Sequence, residues 1–222
     1  MDLILLHGAL GDSRTLDPLG ESLRGNFNIH LLNFSGHGQT AFEGAFTIDR
    51  FADKLEHYIK VNGLQRPGVF GYSMGGYVAL ALAARQPGIV GAIFTLATKF
   101  NWTPESAQRE TKYLDPTVIV QKVPAFAQQL RERHGEQWER VCRETAGMMT
   151  KLGFDPEPDF TKIDCPVTIG IGSADKMVSV EESSRVAEGI PNARLHVFQN
   201  MEHPLEKSDP EEIAEKLRKF FL

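Results

Sequence analysis

Cysteine is nearly absent from this chain, with only Cys142 and Cys165 among 222 residues. A disulfide framework is therefore excluded as the source of its stability. The other mark of export is missing too. Met1-Asp2-Leu3-Ile4-Leu5-Leu6 carries no basic residue ahead of its short apolar run and does not read as a signal peptide. Both thiols are expected to be free, in a reducing, cytoplasmic setting. Neither has a histidine close by in sequence. Cys142 falls on the apolar stripe of a helix and Cys165 precedes Pro166 at a strand entrance, so both are read as structural.

Long apolar runs and basic runs are also lacking. No stretch approaches the ~20 residues of a membrane span. With no basic run and a net charge of −5, neither nucleic acid nor an anionic membrane is expected as a main partner. There are no internal repeats and no low-complexity tracts. What remains is an ordinary globular composition, 41% hydrophobic and 24% charged. The length suits one α/β domain with a modest insertion, as a monomer or weak homodimer.

The richest stretch is Gly71-Tyr72-Ser73-Met74-Gly75-Gly76. Before it, Pro67-Gly68-Val69-Phe70 reads as a short buried strand. After it, Tyr77 to Gln86 reads as an alanine-rich helix. Ser73 thus sits where a strand turns sharply into a helix, the context that makes G-x-S-x-G a nucleophile elbow. Glycines flank the serine because a turn this tight brings two backbones together.

The rest alternates strand and helix. Asp2–Leu6, Asn28–Phe34, Ile89–Ala97, Val167–Gly172 and Ala193–Phe198 read as further strands. Helices are expected from Asp12-Ser13 to about Leu23, from Thr47 to about Val61, over Val180–Gly189 and from Asp209-Pro210 onward. This pattern implies a mostly parallel, doubly wound sheet of about six strands, with helices on both faces. Residues 101–158 differ in kind. They show no strand pattern and four helix starts, at Thr103-Pro104, Asp115-Pro116, Pro124 and Glu136. The expected division is a core of residues 1–100 and 159–222 with an inserted helical cap of residues 101–158.

A serine hydroxyl needs a base to take its proton, and the base needs a carboxylate to hold it. Seven histidines compete. His30, His57 and His196 lie inside regular elements, His134 in the insertion, and His7 and His37 in glycine turns. His203 lies in the loop after the last strand, at the carboxyl edge of the sheet where Ser73 also emerges. Asp175 follows its strand at that same edge. Asp159 and Asp164 precede that strand, and Glu202, next to His203, is the weaker alternative. Two N–H donors are needed for the developing oxyanion. Met74 supplies one and Ala9 the other, with Leu10 as the second choice.

Leu6-His7-Gly8, Gly36-His37-Gly38, the Ser73 turn, Asp175 and His203 together resemble the α/β-hydrolase superfamily along nearly the whole chain. That family usually has two strands before its His-Gly strand, and this chain begins almost at that strand, so the resemblance implies a trimmed sheet. The Gly-Tyr-Ser-Met-Gly-Gly motif is also similar to that of the lyases of menaquinone synthesis. Those enzymes follow it with a substrate-binding arginine, and here Tyr77 stands in its place.

The expected activity is a serine hydrolase that cleaves a small to medium, partly apolar carboxylic ester or thioester through an acyl-enzyme. No metal or organic cofactor is implied. A lyase or C–C hydrolase using the same triad, and a non-catalytic small-molecule receptor, are the alternatives. The pocket is expected to be lined by Leu10, Tyr72, Trp102, Tyr113, Phe126 and Met149. Arg109, Arg131 and Arg140 are expected on the outer face of the insertion.

Overall fold

A computed structural model describes residues 1–222. Six strands form one sheet: β1 (Asp2–Leu6), β2 (Asn28–Leu32), β3 (Gly68–Tyr72), β4 (Ala92–Leu96), β5 (Val167–Gly172) and β6 (Ala193–Phe198). Every neighbouring pair is parallel, in the order β2-β1-β3-β4-β5-β6. The six-stranded parallel sheet expected from the alternating pattern is the one found.

The period of two along each strand divides the core into two layers. Leu3 and Leu5 of β1 point to one face, where they join Leu19 and Leu23 of α1 (Asp17–Leu23) and Ile213 and Leu217 of α9 (Pro210–Phe221). Ile4 and Leu6 point to the other. There they join Phe51 and Leu55 of α2 (Ile48–Val61), Val78 and Leu82 of α3 (Met74–Arg85) and Ala187 of α8 (Val180–Gly189). α3 is buried from Met74 to Ala84. Its small residues let it lie close against the middle of the sheet, which fixes the position of the serine at its start.

Between β4 and β5 the chain makes α4 (Pro104–Thr111), α5 (Pro116–Lys122), α6 (Pro124–His134) and α7 (Trp138–Leu152). Thr103 caps α4 through a reciprocal pair with Ser106, and Asp115 caps α5 by accepting from Thr117 N–H. Ile119, Leu130, Trp138 and Val141 are buried among these helices.

Several boundaries differ from the sequence reading: β3 runs on to Tyr72 and α3 begins at Met74, each nearer to Ser73 than expected. The segment after Asp12 begins as a 3₁₀ turn, Ser13–Leu16, and becomes α-helical only at Asp17. Asp12 binds Arg14 instead of capping the helix. β2 ends at Leu32 because Phe34 N–H leaves the ladder to donate to His7 Nε2. β4 starts at Ala92, since Ile89 N–H closes a turn onto Gln86 and Gly91 N–H bonds Pro67. A 3₁₀ turn, Gly135–Gln137, precedes α7.

Candidate active site

Ser73 is held in a backbone conformation that non-glycine residues rarely adopt, φ 49° and ψ −115°. Strain of this kind persists only where the surroundings enforce it. Here Ser73 N–H donates to the Leu96 carbonyl at 2.8 Å, and the Thr98 hydroxyl donates to the Ser73 carbonyl at 2.9 Å. A Cβ on Gly71 would lie 2.4 Å from the Gly76 nitrogen, and one on Gly75 would lie 2.5 Å from the Leu6 carbonyl oxygen. The motif needs glycine at both positions because strand and helix backbones touch there.

His203 and Asp175 meet at the carboxyl edge of β5 and β6. Nδ1–H of His203 donates to Asp175 Oδ2 at 2.8 Å. Oδ1 of Asp175 accepts from the N–H groups of Met177 and Val178, at 2.7 and 2.9 Å. The Asp175 side chain is fully buried. Burial is the largest single influence on it and pushes its pKa up. The bond and charge of His203, with the two N–H groups, outweigh that, and the carboxyl is held below the ordinary carboxylate range. With Nδ1 carrying the proton, Nε2 is the free acceptor of the ring. The Tyr72 hydroxyl donates to the His203 carbonyl at 2.8 Å, which ties the histidine loop to the elbow. Ser73 and His203 line the same cavity. No hydrogen bond joins the serine Oγ to the ring in this structure, and such bonds commonly tighten only with substrate in place.

The turn after β1 lies against the serine. A Cβ on Gly8 would sit 2.8 Å from the Tyr72 ring and 3.2 Å from Ser73 Cβ. Gly11 N–H donates to the Gly8 carbonyl, which leaves the Ala9 and Leu10 N–H groups in the middle of the turn without a protein acceptor. Met74 N–H, at the first position of α3, has no intrahelical partner either. Ala9, Ser73 and Met74 together line a narrow recess of about 30 Å³. An oxyanion hole needs two such free N–H donors aimed at one point. Leu10 has a left-handed backbone, φ 58°, and its carbonyl accepts from two residues of α6: Arg133 Nη1 at 2.9 Å and His134 Nε2 at 3.0 Å.

The cavity at Ser73 measures about 260 Å³. Of the expected lining residues, Leu10, Tyr72, Trp102, Phe126 and Met149 border it. Ala9 and His203 do as well. Tyr113 does not. It is 65% exposed, in the turn that ends α4, where its N–H closes onto Glu110 and its ring is directed to solvent. The neighbouring Leu114 takes the inward position and lines the cavity. Lys99, Arg133, Met177 and Glu206 also border it and were not singled out from the sequence. Lys99 and Met177 carried one available signal, their position in loops leaving the carboxyl edge of the sheet. A larger groove of about 570 Å³ adjoins this cavity and shares Thr15, Arg133, Leu205 and Glu206 with it, but does not reach Ser73.

Three other histidines form a buried group beneath the site. The rings of His7 and His37 are 5.0 Å apart, and those of His37 and His134 are 5.7 Å apart. Burial pushes all three pKa values down, that of His7 to about 4. His7 donates from Nδ1 to the Gly8 carbonyl and accepts Phe34 N–H at Nε2. His134 accepts Gly38 N–H at Nδ1 and donates from Nε2 to Leu10. The rings of His7 and His134 are thus used as neutral donor–acceptor bridges between loops, whereas His37 donates from Nδ1 to the Ser35 carbonyl and its Nε2 has no partner. The two thiols are buried and unpaired, and burial pushes Cys142 up to about 12 and Cys165 up to about 11. No group of three or more His, Cys, Asp or Glu is arranged to hold a metal ion, and no helix is long and apolar enough to cross a membrane.

Comparison with known proteins places these features in a wider set. The chain is 24% identical to a pimeloyl-[acyl-carrier protein] methyl ester esterase of Chromobacterium violaceum, over 91% of this chain and 87% of that protein. It is 25% identical to 2-hydroxy-6-oxononadienedioate/2-hydroxy-6-oxononatrienedioate hydrolase 2 of Pseudomonas putida, over 90% of this chain and 80% of that one. Its fold superposes on a thermophilic esterase from Thermogutta terrifontis with a TM-score of 0.79 and 20% identity. All of this chain and 89% of the esterase are covered. The model of the alpha/beta hydrolase family matches residues 3–216. With nearly its whole length matched and the six-stranded parallel sheet in place, the chain belongs to the alpha/beta hydrolase family.

Proposed function

We propose that this protein is a serine hydrolase of carboxylic esters or thioesters, with Ser73 as nucleophile, His203 as base and Asp175 as its partner. The observation that carries the reading is the His203–Asp175 hydrogen bond of 2.8 Å in the cavity that Ser73 lines. Two free N–H donors beside the serine support it, as does the esterase among the relatives.

The steps follow from the donors and acceptors. Ser73 Oγ attacks the substrate carbonyl carbon while His203 Nε2 takes its proton. The carbonyl oxygen becomes an oxyanion, and the N–H groups of Met74 and Ala9 hold it. Collapse of the tetrahedral intermediate breaks the bond to the alcohol or thiol, which leaves with the proton from His203. A water, deprotonated by the same nitrogen, then attacks the acyl-enzyme. The second tetrahedral intermediate collapses to the free acid and restores Ser73. Asp175 stays ionised throughout and stabilises the imidazolium. Residues 101–158 serve as a cap whose apolar underside, including Trp102, Phe126 and Met149, sets the range of substrates.

The test is a panel of p-nitrophenyl esters of increasing acyl length, assayed on the wild type and Ser73→Ala. The expected result is turnover by the wild type and a loss of roughly 1,000-fold or more in kcat for the variant, with an unchanged fold. Turnover that survives in Ser73→Ala sinks the assignment.

A further inference from the structure

Two cations border the cavity, Lys99 and Arg133, and the hydrolytic steps use neither. Lys99 stands three residues beyond β4, and its side chain is only 8% exposed. A buried ammonium is normally satisfied by close acceptors, since losing water is costly. Here the contacts are long. The Met177 carbonyl is 3.4 Å from Nζ, the Glu110 carboxylate is 4.0 Å away, and the Trp102 ring centroid is 5.7 Å away. Glu110 is also shared with Arg109, at 3.5 Å. None of these reaches the ~2.7–2.9 Å of a charge-assisted hydrogen bond. The Met177 carbonyl is the single hydrogen-bond acceptor for the three protons of Nζ.

Its position gives the spare donors a use. Lys99 lines the cavity at Ser73 together with Trp102 and Met177, and it also lines the narrow recess with Ala9 and Met74. The other cation at the cavity, Arg133, is already engaged. It donates to the Leu10 carbonyl at 2.9 Å and pairs with Glu206 at 3.5 Å. We propose that Lys99 is a specificity-determining residue that binds a carboxylate carried by the substrate, so that the enzyme acts on an ester whose acyl or alcohol part bears a negative charge. A cavity of about 260 Å³ suits a short chain with one such group. Trp102 then covers the aliphatic part, and Lys99 reads the end.

This proposal rests on the ester-hydrolase reading, and its test separates the two. Two matched pairs of substrates are assayed: p-nitrophenyl hexanoate against mono-p-nitrophenyl adipate, and p-tolyl acetate against 4-acetoxybenzoate. The wild type is expected to favour the anionic member of at least one pair by roughly 10- to 100-fold in kcat/KM, the worth of one charge-assisted hydrogen bond. In Lys99→Met, or in Lys99→Gln should that variant not fold, the ratio within the pair falls towards one. If Lys99 only joins α4 to the sheet, both members lose rate together and the ratio stays, which overturns the proposal. A wild type that favours the neutral member of both pairs also overturns it. If no ester is turned over, the hydrolase reading itself fails, and the Lys99 proposal is then read from calorimetric binding of adipate. Binding by the wild type that Lys99→Gln loses sustains it, and absence of binding by the wild type overturns it.

Discussion

His134, the last residue of α6, donates from Nε2 to the carbonyl of Leu10 at 3.0 Å and so ties the helical insertion to the turn after β1. The bond lies at the carbonyl of a residue with a left-handed backbone, in the turn whose Ala9 and Leu10 N–H groups have no protein acceptor. The same ring accepts Gly38 N–H at 3.1 Å, so one buried imidazole fixes three segments.

Replacing it with Phe keeps a ring but leaves the Gly38 N–H and one acceptor site of Leu10 unpaired. His134→Phe is expected to cost about 1–3 kcal/mol of stability. Because the turn also carries a proposed oxyanion donor, kcat is expected to fall by roughly tenfold or more, with a smaller change in KM. Chemical denaturation and ester kinetics on the same sample check this. A loss of stability with kcat intact would mean that the turn keeps its shape without the insertion.

The buried histidines make stability sensitive to acid. The pKa of His7 is pushed down by burial from an ordinary value of 6.5 to about 4, and that of His37 moves in the same direction for the same reason. Above pH 6.5 neither the folded nor the unfolded chain protonates them, and stability is complete. As pH falls below 6.5 only the unfolded chain takes up the proton, and stability is lost until pH passes through the folded value. Each such group contributes a slope of about 1.4 kcal/mol per pH unit in that window. Urea unfolding at pH 7, 6 and 5 should show the midpoint falling, and His37→Phe should flatten the fall. A constant midpoint from pH 7 to 5 would contradict the assignment of neutral rings.

The sheet and the elbow were legible in the sequence because each rests on a local rule. Apolar runs made the strands, and glycines at 71 and 75 marked a turn that tolerates no Cβ. Asp175 and His203 were legible from topology, since loops after parallel strands open at one edge. The places that His134 and Lys99 take in the fold were not. A histidine near the end of α6 looks like any polar helix residue until the fold brings Leu10, 124 positions away in sequence, against it. Tyr113 and Leu114 show the same limit at shorter range. Both are apolar enough to line a pocket, and only the turn closing α4 decides which one faces inward.

That difference gives a test of the pocket wall. Met149 borders both the cavity and the recess, whereas Tyr113 faces solvent. Met149→Ala is expected to lengthen the preferred acyl chain by about one to three methylenes, with kcat/KM for the shortest ester falling by up to roughly 10-fold. Tyr113→Ala is expected to leave the chain-length profile as it is. Identical profiles for Met149→Ala and the wild type would place the acyl group elsewhere, the adjoining groove being the next candidate.

The most direct measurement of the central claim is covalent labelling with a fluorophosphonate, followed by peptide mapping. The probe reacts with a serine whose proton a neighbouring base can take. Labelling is expected at Ser73 alone in the wild type, none in Ser73→Ala, and rates slower by about 1,000-fold or more in His203→Gln and Asp175→Asn. Labelling at a different residue, or an unchanged rate at Ser73 in His203→Gln, would contradict the account.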